Sequence, residues 1–99
     1  MAQCKIVWSH RARIRLLAIL EFYVERNKSK TYSTRLFARF NREIKLLAKY
    51  PELGVKTEMD SVRALIVDEH IIYYEHQQNT IIIHTIWNSR QDPESLIIK

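Results

Sequence analysis

Residues 80–87, TIIIHTIW, are almost entirely apolar and rich in β-branched side chains. β-branched and aromatic residues favour strands, so this stretch predicts a buried strand. The next six residues, 88–93 (NSRQDP), are polar and end in a proline that stops the strand. A strand that leaves the core in this way delivers a cation, an amide and a carboxylate to the rim of a sheet. Recognition and catalytic groups often lie on such rims.

Three more strands are predicted around this one. Residues 62–67 and 70–76 alternate in period two, and the connections at 68–69 and 77–79 are short enough for hairpins. Residues 55–59 predict a short edge strand. Together with residues 80–87 they predict an antiparallel meander. Residues 5–9 predict a separate first strand.

The region between residues 10 and 50 has helical rather than strand periodicity. Apolar residues recur at three- and four-residue steps over 10–27, which predicts an amphipathic helix capped by Ser9. A second helix is predicted from a cap at Ser29 or Thr31 to about residue 50, where Pro51 stops it. Two helices with a short join predict a helical hairpin.

These elements predict one fold class. The apolar face of the sheet needs a cover, and the helical hairpin provides it. We therefore predict an α+β, two-layer domain spanning residues 1–99. Its order is β-α-α-β-β-β, with an antiparallel sheet of four or five strands. Which face of the sheet meets the helices is left open.

Composition narrows the class of protein. Cys4 is the one cysteine, so no disulfide within the chain is possible. The N-terminus has no apolar segment of a signal peptide, and no apolar run approaches the roughly 20 residues of a membrane span. We expect a cytoplasmic protein without membrane partners.

Charge is divided unevenly along the chain. Residues 1–50 carry twelve Lys/Arg and three Asp/Glu, whereas residues 51–99 carry four Lys/Arg and eight Asp/Glu. Part of the excess is a predicted stripe on the second helix, formed by Arg35, Arg39 and Arg42. A basic face favours an acidic protein partner or nucleic acid. A solvated helix surface explains it equally well.

Arg63 and Arg90 are the arginines of the second half, near the start of one strand and beyond the end of another. If both ends meet at one rim, the two guanidinium groups form a clamp for phosphate or carboxylate. The alternative is internal pairing, with acids near Arg63 (Glu58, Asp60) and near Arg90 (Asp92, Glu94).

The remaining candidate groups are aromatic or imidazole side chains. Trp87 and Tyr73 can stack on bases, although aromatic residues in strands more often belong to the core. His70 and His76 are six strand residues apart, roughly 20 Å, which is too far to share one metal ion. His84 is more often a hydrogen-bonded core histidine than a catalyst. The sequence predicts no metal and no cofactor, since it has one glycine and no phosphate-binding loop.

The order and spacing of these motifs resemble the RelE/ParE superfamily of toxins from type II toxin–antitoxin systems. The resemblance spans nearly the whole chain. It rests on residues 6–9 (IVWS), on Ala12, Leu16, Ile19 and Tyr23, on Leu47, Pro51, Glu52 and Gly54, on Val62-Arg63 and Tyr73-Tyr74, and on residues 90–94 (RQDPE). The last of these is similar to the C-terminal signature of the ParE-like branch.

The resemblance implies a growth-inhibiting toxin that is neutralised by a cognate antitoxin protein. It implies contact with operator DNA only indirectly, through the antitoxin. ParE-like members poison DNA gyrase, whereas RelE-like members cut mRNA on the ribosome. A nuclease would use Arg63 and Arg90, with His84 and Tyr73 as substitutes, because Leu96 stands where the RelE-like tyrosine would align. A binding toxin would use Arg90, Asp92 and Trp87, together with the stripe of Arg35, Arg39 and Arg42. A non-toxic interaction module is a third possibility.

Overall fold

A computed structural model of the chain describes residues 3–90 and Leu96. The elements, in chain order, are β1 (Lys5–Trp8), α1 (His10–Asn27), α2 (Thr31–Lys49), β2 (Val55–Lys56), β3 (Val62–Val67), β4 (His70–Gln77) and β5 (Thr80–Asn88). Across this described part, neither helix is long and apolar enough to cross a membrane.

The helices begin and end for different local reasons. The Ser9 hydroxyl accepts a hydrogen bond from the Ala12 N–H at 3.0 Å, as predicted for the cap of α1. α1 ends where Lys28 takes a left-handed conformation, with φ of 54°. The cap predicted for α2 is wrong: Lys30 holds that position without a side-chain bond. Ser29 instead accepts a hydrogen bond from the Thr31 N–H at 3.2 Å.

The five strands form one sheet in the order β1-β5-β4-β3-β2. The α+β class and the helical hairpin are confirmed. The four later strands pair antiparallel, as the meander predicts, but β1 pairs parallel to β5. The sheet is therefore mixed. No hairpin joins β1 to β5, so no tight turn requires them to run in opposite directions.

The predicted edge strand at 55–59 is shorter than expected. β2 covers only Val55–Lys56, and a loop held by the Thr57 hydroxyl follows it. This hydroxyl lies 3.1 Å from the carbonyl of Met59 and 2.9 Å from that of Val62, and this closes a loop before β3.

One face of the sheet packs on the hairpin and forms the core. Leu65 and Val67 of β3 lie on that face, so theirs is the face of the sheet that meets the helices. The core joins this face to the buried sides of both helices. Its other buried members are Ala12, Ile19, Tyr23, Leu36, Phe40, Ile44, Leu47, Ile72, Tyr74, Ile81, Ile83 and Ile86. Within residues 3–90, no helix packs on the opposite face of the sheet, which we call the helix-free face.

Candidate partner-binding groove

A groove of about 410 Å³ lies between α1 and the end of β5. We call it the α1–β5 groove. Its lining includes three cations, two aromatic rings, a buried imidazole and one acid: Arg15, Arg26, Arg90, Phe22, Tyr23, His70 and Glu69. Its volume falls within the range of about 300–1,000 Å³ that small-ligand sites occupy.

The groove exists because β5 is longer than its neighbour β1. Pairing between them ends at Trp8 and Ile83, and β5 continues to Asn88. α1 covers the edge that remains. The Ser9 hydroxyl donates to the His84 carbonyl at 2.8 Å, and Arg15 Nε donates to the Ile86 carbonyl at 3.2 Å. The helix is thereby tied to the strand edge, and its next turns overhang the strand's end.

Arg15 also lies over the indole of Trp87, with its guanidinium carbon 4.8 Å from the ring centroid. Such cation–π contacts stabilise by roughly 0.5–1 kcal/mol at exposed sites and more when desolvated. Trp87 is itself 9% exposed. Its predicted role in binding a partner directly is therefore disfavoured by its burial, and its ring instead supports a cation that lines the groove.

Arg90 lies at the mouth of the groove. Its side chain is 78% exposed and pairs with Glu69, which is 48% exposed, at 2.8 Å. Exposed pairs of this kind contribute roughly 0–1 kcal/mol, so a better-placed acid can replace Glu69. Arg26 forms no ion pair with any residue between 3 and 90.

His70 forms part of the groove and is the unusual group within it. The side chain is 1% exposed, and neither ring nitrogen has a hydrogen-bond partner in the described part of the chain. Its neighbours are aromatic, with the rings of Phe40 and Tyr23 centred 5.4 and 6.3 Å away. Burial lowers the pKa of the His70 imidazole, against a smaller opposing effect of Glu69 and Asp68. The imidazole is therefore neutral at pH 7.

Sequence reasoning predicted Arg90 but missed the rest of this groove. A signal was present, since Arg15, Phe22 and Arg26 are spaced seven and four residues apart and so fall on one side of α1. That side borders the core face marked by Ala12 and Ile19, and Ile19 itself also lines the groove.

Arg63 does not join Arg90. β3 and β5 are both antiparallel to β4, so the start of β3 and the end of β5 lie at opposite ends of the sheet. Arg63 is level with Tyr74 and Ile83, seven strand residues from Arg90, or roughly 20 Å. The predicted clamp of two guanidinium groups on one rim is wrong.

Arg63 instead forms hydrogen bonds to the loop after α2, at its own end of the sheet. Its guanidinium donates to the Gly54 carbonyl at 2.8 Å and more weakly to that of Glu52 at 3.4 Å. The buried Tyr74 hydroxyl accepts from the Gly54 N–H and donates to the Pro51 carbonyl, each at 2.8 Å. Arg63 and Tyr74 thus hold the loop after α2 by its backbone.

The other two predicted catalytic residues lie on the helix-free face. His84 sits at a bulge in β5, and its Nε2 lies 2.9 Å from a carboxylate oxygen of Glu75. Gln77 donates to the other oxygen of Glu75. Tyr73 shares this face with Glu75, and burial raises the pKa of the Tyr73 hydroxyl. The His84 side chain is 14% exposed, so this hydrogen-bonded imidazole is largely buried.

The predicted stripe on α2 is exposed, as expected for solvated arginines. Arg39 pairs with Asp68 at 3.2 Å, with both side chains about half exposed. Arg35 and Arg42 lie on the surface. Asp92 and Glu94, predicted as a binding residue and an ion-pair partner, lie outside the described residues. Within residues 3–90, no three His, Cys, Asp or Glu side chains are grouped so that they could hold a metal ion.

Comparison with known proteins identifies the family. The family model described as "ParE toxin of type II toxin-antitoxin system, parDE" matches residues 6–93 of this sequence. A solved structure described as the chromosomal ParDE TA system from P. aeruginosa superposes with a TM-score of 0.76 at 19% identity. The match covers 87% of this chain and 96% of that one. A search of curated protein sequences finds no match. Because the family model covers most of the sequence, the chain belongs to the ParE toxin family of type II toxin–antitoxin systems.

Proposed function

We propose that this toxin inhibits growth by binding a protein target, DNA gyrase, and that a cognate antitoxin neutralises it by binding. The main support is the dispersal of the four residues predicted for RNA cleavage. Arg63 bonds to backbone at one end of the sheet, Arg90 lies at the other, and His84 and Tyr73 lie on a third surface. Phosphoryl chemistry needs such groups around one phosphate.

An antitoxin partner is supported by the surface of the helical hairpin. Large apolar side chains remain exposed on both helices, among them Ile14, Leu17, Phe22, Phe37 and Leu46. Arginines surround them, so the surface suits an acidic segment with apolar side chains. The similar P. aeruginosa structure is named as a ParDE system, which fits a toxin that acts in a pair. Contact with operator DNA would then be indirect, through the antitoxin.

The target is tested by inducing the toxin alone while following DNA supercoiling and transcript integrity. We expect supercoiling to be lost while mRNA stays intact, and purified toxin to inhibit purified gyrase. Cleaved transcripts with normal supercoiling would contradict the gyrase proposal. Harmless expression would favour the non-toxic module. The antitoxin is tested by co-expression with the neighbouring small gene, where failure of the two proteins to co-purify would contradict that partner.

Ribosome-dependent mRNA cleavage is the second candidate, and one observation favours it. The Glu75 carboxylate fixes the largely buried imidazole of His84 on the face of the sheet that also carries Tyr73. A carboxylate-oriented imidazole beside a tyrosine can move protons. Tyr73→Phe separates the candidates, because it removes only a hydroxyl. A nuclease that uses Tyr73 would lose toxicity and stop producing mRNA ends, whereas a gyrase-binding toxin would stay toxic.

A further inference from the structure

We infer that the α1–β5 groove binds a carboxylate side chain of the antitoxin's acidic segment, and that it anchors this segment on the toxin. The inference rests on the proposed antitoxin partner and adds the surface and the chemistry of the contact. Nothing in the family match assigns a role to Arg15, Phe22, Arg26 or His70.

Charge is the first argument. Three arginines and one glutamate line the groove, so it carries a net positive charge. Among residues 3–90, the Arg90 side chain pairs only with the exposed Glu69, and Arg26 forms no ion pair. Guanidinium groups bind carboxylates through paired, directional hydrogen bonds. An incoming carboxylate therefore finds one cation without a salt-bridge partner, and a second that is held weakly.

The wall of the groove is the second argument. Phe22 is 57% exposed on α1, beside the buried Ile19 and the half-buried Arg15. An exposed aromatic ring flanked by cations suits a side chain with an apolar stem and an acidic end, such as glutamate. The ring would cover the methylene groups of the stem, while the arginines bind its end.

The unpartnered imidazole is the third argument. A neutral imidazole has one N–H donor and one acceptor nitrogen, and leaving both unpaired in a buried place is costly. His70 pairs neither nitrogen within residues 3–90, although it lines the groove. A carboxylate that entered past Arg90 would offer an acceptor to the imidazole N–H. The groove thus contains a buried polar group that a ligand could satisfy.

The volume sets the size of the contact. About 410 Å³ suits one or two side chains and is small for a whole helix. The remaining antitoxin contacts must then lie elsewhere, for example on the exposed apolar side chains of the hairpin. The groove is accordingly an anchor point within a larger interface, of the kind where a few residues dominate the affinity.

The test is a titration of the purified toxin with the antitoxin encoded by the adjacent gene. Two substitutions in the groove, Arg26→Glu and Phe22→Ala, are compared with matched changes near the Arg63 end of the sheet, Lys56→Glu and Tyr50→Ala, which are exposed and lie outside the groove and the apolar surface of the hairpin. We expect each groove variant to weaken binding by about tenfold or more and each control by less than about threefold. Circular dichroism spectra confirm that all four fold.

The outcomes distinguish this inference from the proposed function. Equal weakening by groove and control variants, with the unsubstituted toxin binding tightly, would overturn the groove while leaving the antitoxin partnership intact. Failure of the unsubstituted toxin to bind would contradict the partnership and the groove together. A final arm replaces each acidic residue of the antitoxin with its amide. If the groove binds one of these acids, replacing that acid should weaken binding to the unsubstituted toxin but not to the Arg26→Glu toxin. If every replacement weakens binding to both toxins equally, the groove does not bind a carboxylate.

Discussion

The two ends of the sheet each carry an arginine, and the two arginines are used differently. Arg63 bonds to the Gly54 carbonyl beside the buried Tyr74, so its guanidinium helps to hold the loop after α2. Arg90 is largely exposed, pairs with Glu69 and lines the α1–β5 groove. Position at a strand terminus does not reveal a role. The bonding partner of the guanidinium is more informative. An arginine bonded to backbone carbonyls stabilises the fold, whereas one paired with an exposed acid can bind a partner.

The largest effect is expected at the Arg63 end, from Tyr74→Phe. The change strips the buried Gly54 N–H of its acceptor and the Pro51 carbonyl of a donor. We expect the free energy of unfolding to fall by about 2–3 kcal/mol, because buried polar groups are left unpaired. Urea denaturation measures it. Tyr50→Phe is the control, since Tyr50 is 52% exposed. Equal effects of the two substitutions would mean that Tyr74 does not hold the loop.

A somewhat smaller effect is expected from Arg63→Ala, compared with Arg90→Ala. Losing a charged donor to the Gly54 carbonyl lowers the free energy of unfolding by about 1.5–2 kcal/mol. Losing the exposed pair of Arg90 with Glu69 lowers it by at most about 1 kcal/mol. Thermal unfolding of the two variants compares them directly. A greater loss of stability for Arg90→Ala would reverse the roles assigned to the two ends.

His70, which lines the groove at the Arg90 end, should make the free energy of unfolding depend on pH. Burial lowers the pKa of the folded-state imidazole below its unfolded value of about 6.5. The unfolded chain therefore takes up a proton first as pH falls. The stability that comes from the neutral imidazole is complete above about pH 6.5 and is lost as pH drops toward the folded-state pKa. We expect His70→Leu to flatten this part of the stability curve, measured by urea denaturation between pH 7.5 and 5.5. An unchanged slope would show that His70 titrates normally.

The smallest effect is expected on α2, away from both ends. Arg39→Ala removes a half-exposed pair with Asp68, so the free energy of unfolding should change by less than about 1 kcal/mol and the loss should shrink in high salt. Thermal unfolding at low and high salt measures this. A salt-independent loss above that size would mean that the stripe is part of the architecture, like Arg63.

The fold was largely predictable because its signals are local. The period of two in residues 62–87 and the period of three to four in residues 10–50 report which side chains are buried, and Ser9 and Pro51 mark helix ends. The parallel pairing of β1 with β5 was not predictable in this way. No tight turn joins the two strands, and the alternation of side chains in residues 5–8 does not indicate whether the strand pairs parallel or antiparallel.

The groove was less predictable because it depends on which strand ends are adjacent. Arg63 and Arg90 could be placed near strand termini from the sequence, but only the direction of β4 decides that they lie apart. The spacing of Arg15, Phe22 and Arg26 places them on one side of α1. That they line a groove follows only from the extension of β5 past β1, which the sequence does not show. The bulge that exposes His84 to Glu75 has no signal in strand alternation.

We propose that the Arg90 end of the sheet recognises a partner and that the Arg63 end does not. The most direct measurement is the dissociation constant for the cognate antitoxin with Arg90→Ala and with Arg63→Ala, at a temperature where both variants are folded. We predict binding weakened by about tenfold for Arg90→Ala and by no more than about twofold for Arg63→Ala. Equal affinities, or a greater loss for Arg63→Ala, would contradict the claim.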